Sequence, residues 1–197
     1  MDDVSPKPNL TNAAWVKIPT TLDIIVLKDF CSHVERLLRL NPYLHFDCWE
    51  QLNRNIIKAK WKNHSNIEIF SVDTELHLNF EEQEIKVSYL SGIKIETYFM
   101  IEPSEQGSTL IIVDNYGENS EQHLDEVDKS LQAWGSSLKR FFDHYRLLNK
   151  IPGIDNVIDH FWIRLSPIAR RITYILLVIT TVEIIALLLF ILFVLLL

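Results

Sequence analysis

Seven histidines and two cysteines are the residues of this chain best suited to catalysis or metal binding. No HxH, HExxH or CxxC pattern occurs among them, although such spacings are what bring metal ligands together. His45 with Asp47, and His77 with Asn79, would share strand faces, but the opposite face of each strand is the more apolar one. Solvent exposure therefore explains both pairs. We expect no metal, no other cofactor and no catalytic residue, although a Ser/His/Asp or Cys/His site stays open.

Composition argues against nucleotide and nucleic-acid binding. The chain has a formal net charge of −7 and no cluster of Lys and Arg, whereas nucleic-acid phosphates demand a basic face. Its five glycines form no GxGxxG or GxxxxGK pattern, so no phosphate-cradling loop is expected. Cys31 and Cys48 lie in apolar neighbourhoods and fit reduced, inert thiols in a cytoplasmic setting.

Aromatic side chains carry a stronger functional signal. A tryptophan that faces a cavity offers a large apolar wall and one N–H donor, which suits a ring-bearing or amphipathic ligand. Alternation along two strands turns Trp61 and Phe80 inward, whereas the side of Trp49 is undecided. Ordinary core packing is the alternative for each residue. The candidates for a ligand cavity are Trp61, Phe80, Tyr89, Phe99, Trp134 and Phe141.

The most distinctive stretch is residues 172–197, an apolar run with a single charge, Glu183. At about 1.5 Å per residue it makes a helix of roughly 39 Å, enough to cross a hydrocarbon core of about 30 Å. Core helices of soluble domains are rarely so long, and a signal peptide would lie at the other end of the chain. We expect one transmembrane helix and, because nothing follows it, a tail-anchored protein.

Basic residues beside this run indicate its orientation. Arg164, Arg170 and Arg171 precede it and no charge follows it. Since Lys and Arg are retained on the cytoplasmic side, we expect a single-pass membrane protein with its N-terminal domain in the cytoplasm. In the connector, residues 150–171, apolar residues recur at helical spacing, and Trp162 and the arginines are typical of the headgroup layer. We interpret it as an interfacial helix that contacts membrane lipids, the alternative being a linker helix packed on the domain.

Glu183 lies roughly 17 Å into the run, near the expected bilayer midplane. An acidic residue there costs about 2.5–3.5 kcal/mol on insertion scales. We therefore expect a protonated side chain or a polar partner, with Thr180 and Thr181 beside it. A single-span protein has no second helix of its own, so the partner would be another integral-membrane protein.

The rest of the chain predicts an α+β domain. A loose arm, 1–12, precedes a strand at 13–19 and two short helices between 22 and 40, with Thr20 or Thr21 as the helix cap and a break near Cys31. A long amphipathic helix, capped by Asn119 or Ser120, runs to about residue 149 and must cover the open face of an antiparallel sheet. Alternation predicts the strands of that sheet at 43–52, 55–61, 67–80, 84–90, 93–102 and 109–116.

This order of elements resembles the START/Bet v 1-like superfamily, also called SRPBCC. The segments IP at 18–19, VERL at 34–37 and NPY at 41–43 are similar to its I-x-A-P … D-V-E-R-L … N-P stretch. The resemblance covers roughly residues 13–149 and implies a helix-grip fold, a curved antiparallel sheet wrapped around a long C-terminal helix. It also implies a cavity for apolar ligands such as lipids, sterols, quinones or polyketides. Residues 18–23 read IPTTLD and lack the usual Ala-Pro, which leaves the subfamily open.

Three functions follow as expectations. The first is a membrane-anchored module that binds or transfers an apolar ligand (a lipid, quinone or sterol-like molecule) on the cytoplasmic face. The alternative is an accessory or assembly subunit of a membrane complex, docked through its transmembrane helix. A cyclase-like enzyme comes third, because it needs a convergent polar pair inside the cavity and the linear sequence shows none. The expected units are the arm at 1–12, the helix-grip domain at 13–149, the connector at 150–171 and the anchor at 172–197.

Overall fold

The computed structural model describes residues 12–65, 69–82, 84–117, 124–148 and 152–196. Strand β1 (Ala13–Thr20) leads into two short helices, α1 (Ile24–Ser32) and α2 (Val34–Arg39). Six strands follow, β2 (Leu44–Gln51), β3 (Ile56–Asn63), β4 (Phe70–Phe80), β5 (Glu84–Tyr89), β6 (Glu96–Ser104) and β7 (Gly107–Asn115). The remaining elements are the long helix α3 (Leu124–Leu148), α4 (Ile154–Val157) with a π-helical turn at Ile158–Trp162, and α5 (Pro167–Leu196).

The strands form one antiparallel sheet in the order β1-β7-β6-β5-β4-β3-β2. Strand β1 crosses over to pair with β7, so that Ile18 lies opposite Leu110. Alternation sends one set of side chains, including Ala59, Val87 and Phe99, into a core that they share with the apolar stripe of α3. The α+β helix-grip architecture predicted from the sequence is confirmed.

Helix α3 is fixed on the sheet and on α2 by two neighbouring residues. A Cβ at Gly135 would lie 2.8 Å from Cγ2 of Val16, so only a glycine allows the helix to approach β1 this closely. Beside it, the indole Nε1 of Trp134 donates a 2.9 Å hydrogen bond to the carbonyl oxygen of Leu37 in α2. Trp134 therefore joins the long helix to the short ones.

Helix α1 has a different cap from the one predicted. The carboxylate of Asp23, and not Thr20 or Thr21, accepts a 2.8 Å hydrogen bond from the backbone N–H of Ile25. The predicted break between the two short helices is present and falls at His33. The caps predicted for α3, at 119 or 120, and most of the arm at 1–12 lie outside the described residues.

One predicted strand begins late. Residues 93–95 form a turn, and β6 starts at Glu96, because Gly92 adopts a φ of 117° that reverses the chain after β5. Ile93 and Ile95 are exposed in this turn, so their alternation with Lys94 does not reflect a strand.

Helix α5 contains 30 residues and is about 45 Å long. It is long and apolar enough to cross a membrane, and none of its apolar window is buried in the domain. The connector before it does contact the domain, because Ile158 and Ile163 are buried in the main core and Asp159 pairs with Arg36 of α2. These contacts correspond to the packed-linker alternative, although Phe161 stays 55% exposed.

Candidate ligand cavity

A cavity of about 70 Å³ lies between the sheet and α3. Most of its wall is apolar. Ser130 and Trp134 contribute from α3, and Lys94 contributes from the turn before β6. The apolar wall includes Leu38, Leu44, Phe46, Phe70 and Val72.

Three of the six predicted cavity residues line this space, namely Trp61, Tyr89 and Trp134. Trp61 and Tyr89 belong to a row of aromatic rings, in which the ring centres of Phe46 and Trp61 are 5.5 Å apart and those of Trp61 and Tyr89 are 6.4 Å apart. The indole N–H of Trp134 is already bonded to Leu37. Trp134 therefore offers a ligand its ring face and not a donor.

The other three predicted residues do not line this cavity. Phe80 is the last residue of β4 and is 42% exposed, because the strand extends past the part of the sheet that α3 covers. Phe99 is fully buried beneath Trp134, with ring centres 5.8 Å apart. Phe141 lies further along α3, stacked on Tyr145 with ring centres 5.5 Å apart. Periodicity gives the face on which a side chain lies but not its position along a strand or helix, so it could not place these three residues relative to the cavity.

A buried carboxylate holds two residues of the cavity wall, Lys94 and Tyr116. Asp114 is 1% exposed and pairs with the ammonium group of Lys94. It also accepts a 2.5 Å hydrogen bond from the hydroxyl of Thr97 and a 3.2 Å hydrogen bond from the phenol of Tyr116. Three donors therefore converge on one carboxylate, which satisfies the charge that burial would otherwise penalise.

The network continues to Tyr89. The hydroxyl proton of Thr97 is used toward Asp114, so the phenol of Tyr89 donates across the 3.0 Å contact to Thr97 Oγ1. Burial, and then the nearby Asp114 charge, raises the pKa of Tyr89. The phenol accordingly stays protonated at neutral pH and acts as a neutral donor.

Lys94 presents its positive charge to the aromatic side of the cavity. Its Nζ lies 5.4 Å from the ring centre of Trp134 and 5.9 Å from that of Tyr116. A cation in this position can donate a hydrogen bond to an acceptor on a ligand while Asp114 balances its charge. Sequence reasoning missed this pair; the available signal was an acidic residue, Asp114, at the end of the apolar run at 110–113.

The start of α5 contacts a segment of the chain that contributes residues to the cavity wall. Arg170 donates a 2.6 Å hydrogen bond from Nη2 to the carbonyl oxygen of Arg39, and Leu38 and Asn41 on either side of Arg39 line the cavity. The guanidinium group of Arg39 lies 5.0 Å from the ring centre of Phe46, another wall residue. The first turn of the apolar helix therefore touches the same α2–β2 segment that closes the cavity.

The other predicted interface residues are spread along the connector and α5. Trp162 packs against the main core, whereas Arg164 and Arg171 are exposed. Glu183 is exposed in the middle part of α5. These positions are compatible with the predicted membrane contacts, which stay predictions.

The histidines and cysteines form no metal site in the part of the chain that the structure describes. His45 is half-buried and not solvent-exposed as predicted, because its ring packs on that of His64 with centres 4.3 Å apart. Burial, with help from His64 and Arg170, lowers the pKa of His45. Cys31 is buried, which raises the pKa of its thiol, and Cys48 is exposed.

Comparison with known proteins supports the fold. No family model matches the chain, and no curated protein shows significant similarity to its sequence. The di-domain ARO/CYC StfQ from the steffimycin biosynthetic pathway matches with a TM-score of 0.50 and 11% identity, over 70% of this chain and 52% of that one. This chain thus spans about half of StfQ, and the likeness shows that it has the same helix-grip fold.

Two further solved structures are similar over nearly their whole length. A protein from Deinococcus radiodurans matches with a TM-score of 0.48 and 17% identity, over 69% of this chain and 97% of that one. A hypothetical protein from Sulfolobus tokodaii matches with a TM-score of 0.48 and 16% identity, over 70% of this chain and 99% of that one. In each comparison the match leaves about a third of this chain uncovered.

Proposed function

We propose that the protein is a membrane-anchored START/Bet v 1-like module that binds an apolar ligand carrying a hydrogen-bond acceptor. The observation that carries this proposal is Lys94 in the wall of a mostly apolar cavity, with its charge paired to the buried Asp114. A buried ion pair costs desolvation energy and is seldom worth more to stability than apolar packing. Recognition of a polar group on a ligand gives this pair a role in the cavity.

The size of the cavity limits the kinds of ligand that it can hold. Sites for drug-sized molecules measure roughly 300–1,000 Å³, whereas this cavity measures about 70 Å³. A sterol or a diacyl lipid would need α3 to move away from the sheet. A single ring with a carbonyl oxygen, such as the head of a quinone, needs less space and offers Lys94 an acceptor. Its apolar tail would then lie along the rim of the cavity.

The proposed source of the ligand is the cytoplasmic leaflet. The arginines that precede the apolar run favour a cytoplasmic domain, and the contact between Arg170 and Arg39 joins α5 to the cavity wall. An anchor keeps the local concentration of the domain high at its donor surface. Membrane attachment would therefore favour uptake of a molecule that is scarce in water.

A cyclase-like enzyme is less well supported. The polar pair that such an enzyme would need does exist, but Asp114 already accepts hydrogen bonds from Thr97 and Tyr116 and pairs with Lys94. A carboxylate saturated in this way is poorly placed to take a proton from a substrate. Its geometry suits a fixed charge that positions Lys94.

The second candidate, an accessory subunit, rests on Glu183. This side chain is exposed on α5, which has no buried residue, so a polar partner would come from another membrane helix. Glu183→Leu would then abolish co-purification of a membrane polypeptide, whereas Glu183→Gln, which keeps hydrogen-bonding capacity, would preserve it. Equal co-purification of both variants with the partner would contradict this docking role.

Native mass spectrometry of the full-length protein in mild detergent, with organic extraction of the same sample, tests whether a ligand is bound. We expect one apolar molecule per chain. Ser130→Phe, which fills the cavity from α3, should lose it. Ser136→Phe places the same ring on the exposed side of the same helix and should retain it. An empty wild-type protein, or equal retention by both variants, would contradict the proposal.

A further inference from the structure

A cluster of basic groups surrounds the start of α5. Arg170 contacts Arg39 through its Nη2, and the pKa of His45 responds to the charges of Arg170 and Lys62. The ring of His64 stacks on that of His45 with centres 4.3 Å apart. Arg170 therefore lies near further potentially cationic side chains at the point where the domain joins its apolar helix.

The charge of Arg170 is not balanced within the described part of the chain. Arg39 has its own acid, Glu35, at 2.7 Å, but no ion pair forms between Arg170 and any described acid. The one described acid that acts on the pKa of His45 is Asp47, which raises it. The cluster as a whole keeps an excess of positive charge.

One donor in this cluster also lacks a partner. The Nε of Arg170 is buried and makes no hydrogen bond to any described residue. Buried donors are nearly always satisfied, so this N–H calls for a further acceptor. A guanidinium N–H beside a net positive charge selects an anionic oxygen, and arginine is the residue best suited to phosphate.

The position of the cluster identifies the anion. Arg170 stands two residues before the apolar run that begins at 172. If α5 crosses a bilayer, this turn lies at the level of the lipid headgroups. The anionic oxygens abundant at that depth are those of phospholipid phosphates.

We propose that Arg170, together with His45 and His64, forms a binding site for the phosphate group of an anionic phospholipid. The site rests on the membrane placement of α5 in the proposed function, but not on the cavity or its ligand. A bound phospholipid here would hold the α2–β2 wall of the cavity against the headgroup layer. The arginine would supply the fixed charge, and the two imidazoles would supply further donors.

The test is native mass spectrometry of the full-length protein in detergent, titrated with phosphatidylserine or phosphatidylcholine. We expect one tightly held phosphatidylserine. Arg170→Gln should weaken this binding roughly thirtyfold, the loss typical of one partner of a buried charged contact. Arg171→Gln removes the same charge from the exposed neighbour and should weaken it by about fivefold, the effect of a surface cation near a membrane.

Three outcomes would overturn the site. These are equal weakening by the two arginine variants, equal affinity for phosphatidylcholine, and competition by inorganic phosphate at millimolar concentration, which would make the ligand a free anion. Arg170→Gln also removes the hydrogen bond to Arg39, so a His45→Gln, His64→Gln double variant provides a second test. This double variant leaves the hydrogen bond between Arg170 and Arg39 in place and should bind phosphatidylserine more weakly than the wild type does. Unchanged binding would count against the site. Ser130→Phe should keep the phospholipid while losing the cavity ligand, which separates this proposal from the function proposed above.

Discussion

The guanidinium group of Arg170, in the first turn of α5, donates a 2.6 Å hydrogen bond to the carbonyl oxygen of Arg39 at the end of α2. Arg39 follows Leu38, which lines the cavity. One side chain therefore joins the apolar helix to the cavity wall.

Replacing Lys94 with methionine should destabilise the fold, because Asp114 would keep a buried charge without its counter-ion. We expect a loss of about 2–4 kcal/mol in the free energy of unfolding, measured by urea denaturation in detergent. The double variant Lys94→Met, Asp114→Asn should recover part of this loss. Lys86→Met, which breaks the more exposed pair with Glu96, should cost only about 1 kcal/mol. Equal losses for the two lysines would contradict the buried pairing.

The fold was largely predictable because its elements repeat local patterns. Alternation in β3 and β4 and the 3.6-residue stripe of α3 require only that one face be buried, and Ile57, Leu76 and Leu138 are buried as those patterns demand. The apolar run of α5 was equally easy to recognise in the sequence. Local periodicity contains this information without any knowledge of the tertiary structure.

The cavity was only partly predictable because it depends on contacts between distant residues. Lys94 and Asp114 meet through a turn and through the register of β6 with β7, which places Thr97 opposite Asp114. No local pattern encodes that meeting. Phe80 shares the inward face of Leu78, yet it lies beyond the covered part of the sheet. Periodicity shows on which face of the sheet a side chain lies. How far α3 covers that face depends on the tertiary structure.

Stability should fall at acidic pH partly through His45. The pKa of His45 is lowered in the folded protein, first by burial and then by the charges of His64, Arg170 and Lys62, with Asp47 acting in the opposite direction. The unfolded chain therefore binds a proton at a higher pH, near 6.5, than the folded one. The stabilisation is present above that pH and is lost as pH falls through the folded value.

Urea denaturation between pH 5 and pH 8 measures this contribution. His45→Gln should flatten the decline of the unfolding free energy below about pH 6.5. His77→Gln, at an exposed position of β4, is the matched control for the loss of an imidazole. If the unfolding free energy of His45→Gln declined as steeply as that of the wild type, the proposed contribution of His45 would be contradicted.

The two thiols should differ sharply in reactivity. Cys31 is fully buried, which raises the pKa of its thiol and keeps it protonated, whereas Cys48 is exposed. Ellman's reagent at pH 8 should therefore modify one thiol per folded chain and two per chain in denaturant. Cys48→Ser should abolish the native reaction, and a rapid reaction that persists in this variant would show that Cys31 is accessible.

Gly135→Ala should destabilise the protein although alanine favours helices. The added Cβ would lie 2.8 Å from Cγ2 of Val16, and overpacking of this kind costs about 1–3 kcal/mol, more than the roughly 1 kcal/mol gained in helix propensity. Thermal unfolding measures the balance. Ser136→Ala, exposed on the same helix, should be neutral or slightly stabilising, and a stabilised Gly135→Ala would contradict the close packing of α3 on β1.

The most direct test of the central claim is photocrosslinking in the native membrane. A benzophenone amino acid would replace Ile93, an exposed residue at the edge of the cavity, or Ile95, which is exposed in the same turn but does not line the cavity, and intact-mass spectrometry would follow irradiation. Both positions leave Ser130 and the cavity space unchanged. We expect an adduct of one small apolar molecule at position 93 and none at position 95. Adducts of equal yield at both positions, or only unmodified chain at 93, would contradict a ligand-binding cavity.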